Sequence, residues 1–160
     1  MTSAAFKAGI TEMYQGEVLG EALFDRMLDL FDDPMQRYKV ATMLQLESET
    51  VTRLRPTVLE LGLELSAADE SRTLGIKWAE SLDGVSWDEL MVKLGDGLEP
   101  YIERYGEIVE QAPPRYQAIA RSMLVHEKSL KRFTEFELAG DTEHSLDDVI
   151  AQLHHPLPRP

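Results

Sequence analysis

Residues 6–31 read FKAGITEMYQGEVLGEALFDRMLDLF, and their apolar side chains recur in alternating steps of four and three. The positions picked out are Phe6, Ile10, Met13, Glu17, Gly20, Phe24, Met27 and Phe31. Only a helix gathers that spacing onto one stripe, so the stretch is a helix that buries one face. The stripe is apolar except at its centre, where Glu17 stands, and Glu21 lies near enough on the same side to join it.

The same design returns twice. Val40, Met43, Glu47, Thr50, Leu54, Val58 and Leu61 form a second stripe with Glu47 near the middle. Tyr116, Ala120, Met123, Glu127, Leu130 and Thr134 form another, centred on Glu127, with His126 on its flank. Leu44-Gln45-Leu46-Glu47-Ser48-Glu49-Thr50 also echoes Leu124-Val125-His126-Glu127-Lys128-Ser129-Leu130, a weak internal repeat of two helical hairpins. A carboxylate buried alone costs several kcal/mol unless it is paired, protonated or bound to a metal ion. Three of them at matching heights are therefore candidates for a common site.

Punctuation sets the boundaries. Asp33-Pro34 reads as a cap followed by a proline at the first helical position, Gly62 as a C-terminal cap, and Ser66/Asp69 and Ser86/Glu89 as capping boxes. Pro113-Pro114 opens a helix that Gly140-Asp141-Thr142 closes. The pattern predicts helices near 3–31, 34–61, 87–111 and 114–139, with an amphipathic helix near 67–82 inside a long 63–86 crossover. Trp78 and Trp87 are expected to anchor that crossover. Gly95, Gly97 and Pro100 are expected to kink the 87–111 helix or break it into 87–94 and 98–111. A short helix beginning at Ser145 and a proline-rich tail fill 141–160. No stretch alternates apolar and polar residues as a strand does. The expected fold is all-α, an antiparallel four-helix bundle in a single domain of residues 1–160.

Composition limits the functions. A net charge of −13 without a basic patch argues against nucleic acid or an anionic membrane as partner. No apolar run approaches the ~20 residues of a membrane span, and the first residues lack the pattern of a signal peptide, so the expected compartment is the cytoplasm. Without cysteine there can be no disulfide, thiolate metal site, iron–sulfur cluster or cysteine nucleophile. No phosphate-binding loop or other organic-cofactor motif is present: Gly95-Asp96-Gly97 lacks the accompanying lysine and serine. A homodimer is left open.

With its central carboxylates, the chain resembles the ferritin-like superfamily, including the rubrerythrin-type and di-iron carboxylate proteins, over residues 3–140. Those proteins take one Glu from each of two helices and a Glu-x-x-His pair from each of the other two. The resemblance implies Glu17, Glu47 and Glu127 as metal ligands with His126 beside them, iron or manganese as the cofactor, and oxidation or peroxide handling as the chemistry. This chain departs from the pattern where Thr50 and Leu130 occupy the two histidine positions. The third long helix turns Met91, Leu94, Leu98, Tyr101, Tyr105 and Ile108 inward and Glu99, Glu103, Glu107 and Glu110 outward. Tyr14, Tyr101 and Tyr105 are candidate hydroxyl partners for the acids. The departures keep a second class open: a non-catalytic helical interaction module that has lost its metal.

Overall fold

The structure, a computed structural model, describes residues 2–160, at residue 67 the backbone alone. It contains α1 (Ala4–Met27), α2 (Pro34–Glu60), α3 (Asp69–Glu80), α4 (Trp87–Gln111), α5 (Gln117–Ala139) and α6 (Asp147–Ile150). Short 3-10 turns at Leu65–Ala68 and Pro114–Tyr116 precede α3 and α5. The described residues include no strand, and none of their helices is long and apolar enough to cross a membrane.

The helix ends follow from local chemistry. The Ser3 and Asp33 side chains accept from the backbone N–H groups of Phe6 and Gln36 at 3.1 and 2.8 Å, satisfying donors that a helix start leaves orphaned. Ser86 and Glu89 form a reciprocal capping box at the start of α4. Gly140 closes α5 in the left-handed conformation at φ 82°. Two expectations fail. Ser66 caps nothing, because the 3-10 turn takes up that first turn and α3 begins at Asp69 behind Ala68. Pro100 does not break α4, which runs unbroken from Trp87 to Gln111. The proline is exposed, as is Asp96, whose carbonyl loses its intrahelical donor there, so water can take the place of the missing N–H.

Packing follows the stripes. α1 lies along both α2 and α3, and α4 lies along α5; α1 also meets α4, and α2 meets α5 and α6. The core is two apolar blocks. One holds Ile10 and Met13 of α1, Leu54 and Val58 of α2, Ile108 of α4 and Met123 of α5. The other holds Phe24 and Met27, Val40 and Met43, Leu90 and Met91, and Leu130 and Phe133 from the same four helices. The order of the blocks along the chain reverses from α1 to α2 and again from α4 to α5, so each of these pairs is antiparallel. Between the blocks, at mid-helix, fall the buried polar residues Glu17, Glu47, Thr50, His126 and Glu127.

The crossover is held by its tryptophans. Trp78 rests on Gly97 of α4. The Trp87 ring meets Phe31 and Phe133 edge-on, and its Nε1 donates to Glu137 at 2.7 Å. The tail is non-helical and lies along α2, where Gln45 donates to the His155 carbonyl at 2.7 Å and Glu49 meets His154 Nδ1 at 2.9 Å.

Candidate metal centre

α1, α2 and α5 each bring one side chain to the centre of the polar layer. Glu17, Glu47 and His126 each place a donor atom within 4.8 Å of the other two, and all three are buried. His126 Nε2 is 3.3 Å from Glu17 Oε2 and 3.3 Å from Glu47 Oε1. Neither contact is aligned as a hydrogen bond. Among the described residues, only three buried side-chain nitrogen or oxygen atoms lack a hydrogen-bond partner: Glu17 Oε2, His126 Nδ1 and His126 Nε2. Leaving a buried polar atom unpaired costs about 1–3 kcal/mol, so native proteins keep few of them. Two of them, Glu17 Oε2 and His126 Nε2, face each other beside Glu47 Oε1, which is the pattern of a cation site.

The neighbours shape this point. Tyr105 reaches it from α4, its hydroxyl donating to the Met13 carbonyl at 3.2 Å and lying 3.5 Å from Glu17 Oε1. Thr50 turns its hydroxyl back to the Leu46 and Glu47 carbonyls of its own helix. Gly20 on α1 admits the Glu47 carboxyl, since a Cβ at that position would lie 2.6 Å from it. The layer is electrostatically loaded. Burial lifts Glu17 from an ordinary 4.5 to about 8, with His126 pulling back and Glu47 adding to the rise. Burial likewise raises Glu47 and Glu127 well above the carboxylate range, and it raises the Tyr105 phenol, assisted by Glu17.

Of the four residues expected from sequence, Glu17, Glu47 and His126 come together, with His126 at the centre rather than on a flank. Glu127 is buried in the same layer but lies outside the group whose atoms share that 4.8 Å reach. Glu21 does not join: it accepts from Ser48 at 2.8 Å and faces Arg72 at 3.6 Å. Tyr101 and Tyr105 face the layer, whereas Tyr14 sits in an apolar block and makes no hydrogen bond to an acid among the described residues. Glu99, Glu103, Glu107 and Glu110 are exposed, so α4 brings tyrosines to the layer and no carboxylate.

Sequence reading missed a second buried polar pair. Lys39 of α2 and Glu137 of α5 form an ion pair, with side chains only 5% and 2% exposed. Lys39 also donates to the Thr142 carbonyl at 3.2 Å. Neither residue stands on a conspicuous motif, and no signal short of the α2–α5 packing would have paired them.

Comparison with protein-family models, with curated proteins and with solved structures finds no match. The fold and the site define an all-helical protein with a buried Glu-Glu-His group that could hold a metal ion. Two carboxylates and an imidazole, without a thiolate, suit first-row transition ions.

Proposed function

We propose that this chain is a ferritin-like metal protein: one four-helix domain holding a divalent iron or manganese ion between Glu17, Glu47 and His126, and serving oxidation or peroxide chemistry. The carrying observation is that one donor atom each of Glu17, Glu47 and His126 lies within 4.8 Å of the other two, with Glu17 Oε2 and His126 Nε2 buried and without a hydrogen-bond partner. Three further observations support the reading. The two apolar blocks recur on α1, α2, α4 and α5 in the order expected of two antiparallel hairpins joined by a long crossover. Three helices give donors at the same level. Two carboxylates balance the charge of one divalent ion.

When bound, such an ion supplies a change of oxidation state and a Lewis acid. The chain's own residues hold and isolate it. Glu17 and Glu47 would hold the ion as carboxylates, with the Tyr105 hydroxyl beside Glu17, and the two apolar blocks lie on either side of them. Equal burial of an ion pair's worth of acid without a metal requires the carboxyls to stay protonated, which their raised pKa values allow. That observation, with Thr50 and Leu130 standing where the family carries histidines, favours the second reading, a helical interaction module without metal.

Elemental analysis after anaerobic loading with Fe2+ or Mn2+ separates the two. The metal reading expects about one equivalent per chain, lost in Glu47→Ala and His126→Ala and kept in Glu49→Ala, whose side chain faces the tail. A native protein that takes up neither ion, and a Glu47→Gln variant at least as stable as the parent, would establish the module instead.

A further inference from the structure

Away from the polar layer, a cleft of about 310 Å³ opens where α1, α2 and the start of α3 meet. Its polar lining is Tyr14 of α1, Arg55 of α2, Ser66 of the 3-10 turn, and Asp69 and Arg72 of α3. All of these except Asp69 carry hydrogen-bond donors, and they come from four different elements.

The donors are uncommitted. Tyr14 is only 4% exposed, and its hydroxyl makes no hydrogen bond with any described residue. Among the described residues, the sealed polar atoms without a partner belong to Glu17 and His126. The Tyr14 hydroxyl therefore reaches solvent, through the cleft that its residue lines. Arg55 makes no ion pair or hydrogen bond with any described residue. Arg72 comes no closer to a carboxylate than 3.6 Å, from Glu21, which already accepts from Ser48 at 2.8 Å. That separation is too long for a hydrogen bond. Ser66 caps no helix, and its hydroxyl is free as well.

The chemistry of the lining selects an anion. A guanidinium presents a fork of donors that matches phosphate or carboxylate oxygens, and hydroxyls add to it. One fork satisfies a planar carboxylate, whereas a tetrahedral phosphate has oxygens to spare for donors arriving from three helices and a turn. Two guanidiniums turn a cation away. Asp69 opposes any anion, and with Glu70 it already supplies the negative charge that the start of α3 favours. The attraction thus comes from the side chains rather than from the helix end.

We propose that this cleft binds the phosphate group of a small molecule, held between Arg55 and Arg72 with the Tyr14 hydroxyl donating to it. This site does not depend on the metal-centre reading.

The test titrates chelator-treated full-length protein with inorganic phosphate and with glycerol phosphate, at neutral pH and at an ionic strength held constant with sodium chloride. The readout is the amide resonances of Ser66 and Asp69 and the Nε–H resonances of Arg55 and Arg72. A saturable shift is expected, weakened about tenfold in Arg55→Gln and in Arg72→Gln, one charge-assisted hydrogen bond's worth. Tyr14→Phe keeps the buried ring and removes only the hydroxyl, so it should leave thermal stability as it was and weaken binding several-fold. Asp69→Asn should tighten binding, because it removes the opposing charge. Glycerol phosphate binding tighter than inorganic phosphate assigns the cleft to an organic phosphate ester, and equal binding assigns it to the phosphate group alone; either supports the proposal. No saturable shift with either probe overturns it, as do Arg55→Gln and Tyr14→Phe proteins that bind like the parent. Failure to load iron or manganese with phosphate binding intact would sink the metal centre and leave this site standing.

Discussion

Glu47 stands between the ion position and α1, and Gly20 is the residue that lets it stand there. A Cβ at Gly20 would lie 2.6 Å from the Glu47 carboxyl, far inside van der Waals contact, so the acid would have to swing away from His126. The helix would tolerate the change, since alanine is the better helix former. Gly20→Ala is therefore expected to keep the far-ultraviolet circular dichroism of the parent and to weaken Mn2+ binding roughly 10–100-fold, as displacement of a ligand's support does elsewhere. Competitive titration against a chelating dye measures it, and unchanged affinity would mean that Glu47 holds no ion. A glycine on an apolar seam reads in sequence as a gap in the stripe, and only the approach of α2 shows what fills it.

Among the elements, α2 and α5 are tied by a pair that carries stability rather than the proposed chemistry. Lys39 and Glu137 are buried together, and Glu137 also accepts from Trp87 at 2.7 Å. Removing the lysine strands a carboxylate that water cannot reach. Lys39→Met is expected to lose about 3–5 kcal/mol in urea unfolding, the usual consequence of breaking a buried pair from one side. The double variant Lys39→Met/Glu137→Leu should recover most of that loss; if it does not, packing rather than charge explains the single variant. At the start of α4, Ser86→Ala removes the hydroxyl half of the capping box and should cost about 1 kcal/mol, read as a lowered thermal midpoint. The helix itself was legible from its inward apolar face, whereas its continuity through Pro100 was not, because the penalty of a proline depends on whether the carbonyl it orphans can reach water.

For the whole molecule, the polar layer makes folding depend on pH and on metal together. In the folded chain without metal, Glu17 holds its proton up to about 8, whereas in the unfolded chain it releases it near 4.5. Between those values the folded state binds more protons than the unfolded, so stability is full below the window and falls as pH rises through it. Glu47 and Glu127 are raised in the same direction and add to the slope. Chelator-treated protein is thus expected to lose a few kcal/mol between about pH 5 and pH 8, with a flatter profile in Glu17→Gln. A stability that climbs over that range would show that the acids are paired as anions. Loading the ion should abolish the decline, because the cation takes the place of the protons. At a free ion concentration of about 100 times Kd, it should add about 2.7 kcal/mol.

Periodicity alone determined the helices, the buried face of each and the mid-helix level at which Glu17, Glu47 and Glu127 interrupt the apolar seams. These are properties of one helix at a time, written in spacings of three and four. The tertiary structure decided how each helix is turned about its own axis and how near its neighbours come. Neighbouring residues stand about 100° apart on a helix, so the turn of α5 about its own axis brings His126 to the acids and leaves Glu127 outside their group. The same dependence on packing pairs Lys39 with Glu137 and lays Trp78 over Gly97. A stripe says which side is inward; which inward side chains meet is set by contacts between helices, and these belong to no single segment of the chain.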